Sequence, residues 1–192
     1  MIFTELSLPG CFLVTPELFT DERGFFARFF CEQEFAAKAG IFFSIKQINN
    51  SASTAAGTWR GLHYQVAPHG EAKYLRCIAG SVLDFAVDLR ESSPTFLKSV
   101  SVELTAENRQ AIFIPEGFAH GFLTLAPNSE VIYGVSALYS KDHERAIRWD
   151  DPNINLALPF KPEIISAKDL AAPFFAVETH ASGYTFQEAG HQ

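Results

Sequence analysis

Two segments of this sequence are unusually informative: residues 57–65 read GTWRGLHYQ, and residues 113–122 read FIPEGFAHGF. The first places a cation, Arg60, and an imidazole, His63, on strand-like sequence, and a second cation, Lys73, follows. The other segment adds a second imidazole, His120, after a Pro-x-Gly turn. Packing alone does not favour such groups, because buried charges need partners. They indicate a site that binds an anionic substrate and transfers protons.

Composition limits the class of protein. The chain has 192 residues, 47% of them hydrophobic, which predicts one folded globular domain. A formal charge of −7 argues against a nucleic-acid binder, which needs a basic face. Cys11, Cys31 and Cys77 form no CxxC pair, which favours a reducing compartment over a disulfide framework. No signal peptide or membrane-length apolar run is visible, so we expect a cytoplasmic protein that binds no membrane.

Alternation of apolar and polar residues dominates the middle of the chain and predicts strands at residues 43–48, 81–89, 99–105, 111–114 and 130–136. Turn residues at hairpin spacing predict an all-β fold, a jelly-roll barrel or sandwich. A few short helices are expected, one at residues 31–39 with Gly40 as its C-cap and others mainly at the C-terminal end, as at residues 166–171. We expect a single domain over residues 1–192, with a barrel core at about 20–150 and a packed tail at 151–192.

Each candidate residue also has a purely structural interpretation. A lone histidine such as His63 is often a core residue bound to a backbone carbonyl, but the neighbouring Arg60 and Lys73 favour a neutral imidazole acting as a general base. Lys73 is either a solvated lysine at a strand edge or an ammonium that stabilises an enolate oxygen. His120, taken alone, is equally an ordinary residue at the start of a strand.

Two further candidates remain open in the same way. Tyr133 lies in an apolar strand, where it is either a core residue or a phenol that donates a proton. Asp169 closes the sequence Ser166-Ala167-Lys168-Asp169, which fits a capping box. Its carboxylate therefore either completes a helix start or orients the imidazole of His63, and the sequence alone does not separate these two roles.

Taken together, the motifs resemble those of the dTDP-4-dehydrorhamnose 3,5-epimerase family, whose fold is a cupin jelly roll. The resemblance covers most of the chain and rests on motifs that occur in the family's order. These motifs are DERGFF at residues 21–26, QIN at 47–49, GTWRGLHYQ at 57–65, Lys73, DFAVDLR at 84–90, SPTF at 93–96, IPEGFAHGF at 114–122, Tyr133, Tyr139, Glu144 and WDDP at 149–152.

The resemblance implies a role for each matching residue. His63 would be the base, Asp169 its orienting partner, and Tyr133 the acid, while Lys73 would hold the sugar's C4 oxygen. Arg23 and Arg60 would bind the diphosphate, and Tyr139 would stack on the nucleotide base. The complete predicted substrate-binding set is Arg23, Gln47, Asn49, Arg60, His120, Tyr139, Glu144 and Lys168. The family implies a homodimer that uses no metal and no cofactor and acts on a nucleotide-diphospho-4-keto-6-deoxyhexose.

The residues themselves also argue against a metal site. A cupin metal site usually has two histidines one residue apart, but here the motif reads His63-Tyr64-Gln65. With His63 and His120 alone, too few good ligands remain. We therefore expect no metal ligands, and a metal-dependent cupin oxygenase is the disfavoured alternative. A single-centre epimerase of a related deoxysugar and a non-catalytic sugar-binding cupin are the other two.

Five positions depart from the family pattern. Arg28 stands where a glutamate is usual, Gly134 and Leu138 replace a lysine and a tyrosine, and Leu97 and Leu158 replace a glycine and a tryptophan. These departures concern the nucleotide or the exact sugar rather than proton abstraction.

Overall fold

The computed structural model describes residues 1–186, which form two β-sheets packed face to face. The elements are numbered in chain order. The first sheet runs in the order β1 (Ile2–Glu5), β2 (Phe12–Thr15), β10 (Ala111–Ile114), β7 (Lys73–Ala79), β12 (Ser129–Val135) and β5 (Gln47–Ser53). The second runs in the order β13 (Glu144–Ala146), β6 (Thr58–Gln65), β11 (Phe118–Thr124), β8 (Ser81–Asp88) and β9 (Ser99–Thr105).

The remaining elements are short. A strand of two residues, β14 (Ile164–Ile165), pairs in parallel with β6, whereas the other pairs in both sheets are antiparallel. A separate hairpin consists of β3 (Leu18–Asp21) and β4 (Gly24–Ala27). The helices are α1 (Glu32–Ala39), α2 (Ala167–Leu170) and α3 (Val177–His180). The prediction of an all-β sandwich with a few short helices is confirmed.

Most of the predicted strands are present within a residue or two, but the first was placed too early. Of residues 43–48, only Gln47 and Ile48 belong to a strand. Phe43 is instead buried against Phe35 and Phe113 in an aromatic cluster. These contacts hold the residues just before β5 away from the sheet. The sheets also extend past both predicted limits of the barrel core, because β1 and β2 precede residue 20 and β14 follows residue 150.

Helix ends follow the expected local rules. Gly40 ends α1 in the left-handed conformation, at φ 66°, as a C-cap glycine should. Ser166 caps α2, since its side-chain oxygen accepts a hydrogen bond from the backbone N–H of Asp169. Helix α3 was not predicted. In the part of the chain that the structure describes, none of the helices has the length and apolar character required to cross a membrane.

Three apolar clusters hold the layers together. One fills the space between the two sheets, another packs the C-terminal segment onto the outer face of the second sheet, and a third packs α1 onto the outer face of the first. Large side chains such as Trp59, Leu75 and Phe35 are almost fully buried, and each contributes about 1.5–3 kcal/mol. In the described part of the C-terminal segment, residues of this second cluster pack on the sheet and α2 contacts β6.

A buried carboxylate explains the DFAVDLR and SPTF motifs. Asp88 accepts hydrogen bonds from the guanidinium of Arg90 and from the hydroxyls of Ser93 and Thr95. Burial alone would raise the pKa of Asp88, but the hydrogen bonds from Arg90 and Ser93 outweigh burial and hold the pKa below its ordinary value. These residues stabilise the fold and do not line the cavity described below.

We expect Asp88→Asn to lower the free energy of unfolding by about 3 kcal/mol at pH 7, because a buried guanidinium loses its charged partner. A lowered pKa gives stability that is present above about pH 4 and is lost as the pH falls further. The difference between wild type and variant should therefore shrink by pH 3, as measured by urea unfolding. Asp150→Asn, which breaks a more exposed pair with Arg148, is the control and should change little. Equal unfolding midpoints for Asp88→Asn and wild type at pH 7 would contradict this account.

Candidate active site

A cavity of about 590 Å³ contains nearly all of the predicted site residues. Such a volume is typical of a pocket for a small organic ligand. Of the twelve predicted residues, eleven line it: Gln47, Asn49, Arg60, His63, Lys73, His120, Tyr133, Tyr139, Glu144, Lys168 and Asp169. Ten of them come from β5, β6, β7, β11, β12, β13 and α2, and Tyr139 lies in the loop between β12 and β13, so both sheets and the C-terminal segment build the site.

A bulge in β6 turns Arg60 and His63 to the same side. In the pairing with β11, His63 lies opposite His120 and Arg60 lies opposite Phe122, so three steps along β6 match two along β11. In a regular strand, residues three apart point to opposite faces of the sheet. The one extra residue in β6 brings the side chains of Arg60 and His63 to the same face. Gly61 permits it, because at φ 135° a Cβ would come within 2.5 Å of the Cα of Gly121.

The imidazole of His63 is paired with a buried carboxylate. Its Nε2 lies 2.7 Å from Oδ1 of Asp169, and Oδ2 of Asp169 faces the backbone N–H of Gly61 at 3.4 Å. Burial raises the pKa of Asp169, but the hydrogen bond and charge of His63 outweigh burial, and the net pKa is lowered. Because the ionised carboxylate only accepts, Nε2 is the donor and Nδ1 keeps the lone pair of the neutral imidazole. Asp169 thus caps nothing with its side chain; the cap of α2 is Ser166.

Lys73 is not a solvated edge lysine. It begins β7, which lies inside the first sheet between β10 and β12, and it is only 5% exposed. Its Nζ donates to the backbone oxygen of His63 at 3.2 Å and forms an ion pair with Glu71, also at 3.2 Å. Glu71 was not among the predicted site residues. It lies two residues before Lys73, and residues two apart are on the same side of an extended chain.

Tyr133 is both a core residue and a cavity residue. It packs against the apolar cluster between the sheets and also lines the cavity. Burial raises the pKa of the phenol, the charge of Glu71 raises it further, and the charge of Arg60 opposes them. The side chain is therefore a neutral phenol at physiological pH, able to donate a proton.

His120 is paired with a second buried carboxylate. Its Nε2 lies 2.8 Å from Oδ2 of Asp84, a residue with no solvent exposure. Burial raises the pKa of Asp84. Its other oxygen, Oδ1, has no hydrogen-bond partner among the described residues. Asp84 was not among the predicted site residues, and His120 lies within β11 rather than at the start of a strand.

The remaining cavity residues form small polar groups. Glu144 accepts hydrogen bonds from Tyr139 at 3.0 Å and Lys168 at 2.6 Å, and these bonds lower its pKa against the opposing effect of burial. Gln47 donates to Asn49. The guanidinium of Arg60 donates to Ser53 Oγ and to a backbone oxygen, and within the described residues it forms no ion pair.

Arg23 is the one predicted site residue that lies outside this cavity among the described residues. It lies at the turn of the β3–β4 hairpin with 85% of its side chain exposed, paired with its neighbour Asp21. The hairpin pairs with neither sheet, so within one chain Arg23 does not line the cavity.

The five departures lie at the margin of the site or away from it. Arg28 pairs with Glu34 beside a different, smaller cavity. Ile45 covers Gly134 so closely that a Cβ would meet it at 2.8 Å. Leu138 is exposed, Leu97 has φ 61° and packs on the second sheet's outer cluster, and Leu158 packs there too. Among residues 1–186, we find no group of three or more His, Cys, Asp or Glu side chains placed to hold a metal ion.

Most of the chain is similar to proteins of one known family. Residues 5–177 match the family model described as dTDP-4-dehydrorhamnose 3,5-epimerase. A dTDP-4-dehydrorhamnose 3,5-epimerase from Shigella flexneri is 45% identical over 163 residues, covering 85% of this chain and 90% of that protein. A dTDP-6-deoxy-D-glucose-3,5-epimerase from Legionella pneumophila, solved with dTDP-4-keto-L-rhamnose, superposes with a TM-score of 0.88 at 32% identity, covering 97% of this chain and 98% of that one. A 3'-monoepimerase from Streptomyces bikiniensis, solved with dTDP-quinovose, gives a TM-score of 0.81 at 33% identity, covering 88% and 85%.

Proposed function

This chain belongs to the dTDP-4-dehydrorhamnose 3,5-epimerase family and is an isomerase, and on that premise we propose that it converts dTDP-4-dehydro-6-deoxyglucose to dTDP-4-dehydrorhamnose by inverting C3 and C5. The observation that carries this proposal is the meeting of a His63–Asp169 pair, the Lys73 ammonium and the Tyr133 phenol in one cavity. Its relatives named above act on or bind dTDP-linked sugars.

The reaction begins with removal of a proton next to the C4 ketone. The lone pair on Nδ1 of His63 takes the proton from C3 or C5, and the electron pair of the broken C–H bond moves toward C4 to form an enolate. Asp169 stabilises the resulting imidazolium and keeps the ring in the required tautomer. A positioned base of this kind is worth roughly 10²–10⁴-fold in rate.

The enolate oxygen needs a positive donor, because carbon acids next to a ketone remain far weaker than any side chain. Lys73 supplies an ammonium group in a largely buried position, where its charge interacts more strongly than in water. Tyr133 then donates its proton to the opposite face of the same carbon, which inverts the centre. Exchange with solvent returns a proton to Tyr133 and removes one from His63, so that the enzyme is restored.

The nucleotide-diphosphate end is bound by the remaining cavity residues. Arg60 carries a charge that no carboxylate of the described residues neutralises, which suits a diphosphate. His120, Gln47 and Asn49 supply further hydrogen-bonding groups. We assign Tyr139 to the nucleotide base, with Glu144 and Lys168 beside it.

We further propose that the protein is a homodimer. The β3–β4 hairpin exposes Phe19, Phe25 and Phe26 and carries Arg23 away from the cavity of its own chain. A second copy covering this hairpin would bury those rings and place Arg23 beside the cavity of that second copy. Sedimentation equilibrium should give twice the chain mass of 21.3 kDa; a monomer at assay concentration would contradict the dimer. Metal independence stays a prediction, as does a cytoplasmic location, which the three free cysteines support.

Incubation with dTDP-4-keto-6-deoxyglucose in D₂O tests the function directly. We expect deuterium at both C3 and C5, together with inverted product, as read by NMR and mass spectrometry. Deuterium at one centre alone would establish a single-centre epimerase. This is the alternative that the similarity to a 3'-monoepimerase brings into consideration. Binding without exchange would establish a non-catalytic sugar-binding cupin, and activity abolished by a chelator would establish metal dependence.

Asp169→Asn separates the two roles considered for this residue. An asparagine cannot accept the Nε2–H bond with a full negative charge, so the imidazolium loses its support and the ring its tautomer. We expect turnover to fall by about 10²-fold or more. The cap of α2 is made by Ser166, so the free energy of unfolding should fall by only about 1 kcal/mol. Loss of stability with normal turnover would contradict the orienting role.

A further inference from the structure

Glu71 is a cavity residue that neither the motifs nor the mechanism above accounts for. It lies two residues before Lys73, the first residue of β7, and its side chain is 15% exposed. Its Oε1 lies 3.2 Å from the Lys73 ammonium, and its Oε2 accepts from Gln65 at 3.3 Å. A largely buried carboxylate in this position has a defined geometry rather than a free range of rotamers.

The partner on the other side of Glu71 is itself anchored. Gln65 is almost fully buried, and the two protons of its amide nitrogen are shared among Glu71 and the backbone oxygens of His69 and Leu138. Its amide oxygen accepts from the backbone N–H of Ser140. Glu71 is therefore linked to two loops through one buried amide. Because Glu71 is held in this way, it restricts the position of the Lys73 ammonium.

The geometry at Lys73 leaves one donor for a ligand. An ammonium group has three N–H bonds; one is donated to the His63 carbonyl, and a second is accounted for by the ion pair with Glu71 at 3.2 Å. The third remains available to an oxygen in the cavity. Because the His63 carbonyl belongs to the residue that carries the base, both acceptors relate the position of the ammonium to that of the imidazole.

Charge alone does not explain this arrangement. Arg60, in the same cavity, pairs with no carboxylate of the described residues, so its positive charge is available to bind an anion. The charge of Lys73 is instead paired with Glu71, an arrangement that holds the ammonium in one position. We propose that Glu71 is a positioning residue, which fixes the Lys73 ammonium so that its third N–H meets the C4 oxygen of the substrate. The catalytic part of this inference rests on the proposed function.

Two substitutions and one control test the proposal. Glu71→Gln keeps an oxygen acceptor of the same reach, whereas Glu71→Ala removes it. Glu103→Gln, on the strand β9 at the sheet edge and outside the cavity, controls for the loss of a carboxylate. The first readout needs no activity: ¹H–¹⁵N NMR of the Lys73 ammonium in the ligand-free protein, assigned by its disappearance in Lys73→Arg.

We expect hydrogen exchange at the Lys73 ammonium to be about tenfold faster in Glu71→Ala and within about threefold of wild type in Glu71→Gln. For turnover of dTDP-4-keto-6-deoxyglucose, kcat should fall by about 10-fold to 10²-fold in Glu71→Ala with KM within about threefold, and Glu71→Gln should restore most of it. If Glu71→Ala does not fold, Glu71→Asp, which withdraws the carboxylate by one methylene, is expected to show the same exchange and kcat effects.

Unchanged ammonium exchange in Glu71→Ala would overturn the proposal, as would a Glu71→Gln protein no better than Glu71→Ala. A fall in kcat that follows a parallel fall in melting temperature would assign Glu71 to the fold instead. If wild type itself fails to turn over the sugar nucleotide, the proposed function fails, and the NMR result still decides whether Glu71 positions Lys73.

Discussion

His63→Asn is expected to stop solvent deuterium from entering either C3 or C5 while the protein remains folded. The substitution removes Nδ1, the nitrogen whose lone pair is left free by the bond from Nε2 to Asp169. Exchange should fall by about 10²–10⁴-fold, the usual contribution of a positioned base. The asparagine amide can still donate to Asp169, so the buried carboxylate keeps a partner and the melting temperature should change little.

His69→Asn is the matched control for this experiment. His69 is exposed, lies outside the cavity and stacks on His143. Its replacement should leave exchange at both carbons within about twofold of wild type, as expected for a surface substitution away from the site. Near-normal exchange in His63→Asn would remove His63 from the mechanism, whatever the control shows.

Tyr133→Phe is expected to separate proton removal from inversion. The ring and its packing against the core stay, but the phenolic proton is lost. His63 should still form the enolate, which is then reprotonated mainly from the face it left. Deuterium should therefore enter with retained configuration faster than inverted product appears, and inversion should slow by about 10²–10⁴-fold. The measurement is a time course of deuterium content and configuration at each carbon.

Tyr64→Phe provides the contrast. Tyr64 lies on the outer face of the second sheet, where its hydroxyl donates to the backbone oxygen of His180. Its loss should cost about 1 kcal/mol of stability and leave inversion unchanged. If Tyr133→Phe forms inverted product at nearly the wild-type rate, the acid lies elsewhere, and Tyr139 or a bound water becomes the next candidate.

Local patterns were enough to predict much of this molecule. Strand alternation, the C-cap glycine at Gly40 and the Ser166 cap depend on neighbours within a few residues, and the structure has them close to where they were expected. The exception at residues 43–46 arose because Phe43 joins an aromatic cluster that only the folded chain assembles. Alternation in the sequence does not reveal which face an isolated aromatic residue will meet.

The arrangement of the site was less accessible. Counting in steps of two would have placed Arg60 and His63 on opposite faces of β6, and the bulge at Gly61 and Leu62 that unites them depends on the close approach of β11. Likewise, the choice between two roles for Asp169 depended on where α2 docks. The position of Arg23 outside its own chain's cavity was equally hard to predict, since its hairpin belongs to neither sheet.

The pairing of His63 with Asp169 also sets an order in time. The two residues are 106 positions apart, and among residues 1–186 every strand except the two-residue β14 is complete by Ala146. At a synthesis rate of about 5–20 residues per second, His63 leaves the ribosome roughly 5–20 s before its carboxylate partner exists. A nascent chain can thus assemble both sheets around an imidazole that has no orienting group. In the proposed mechanism, His63 therefore gains its orienting group only after the segment that contains Asp169 has been made and has docked on β6.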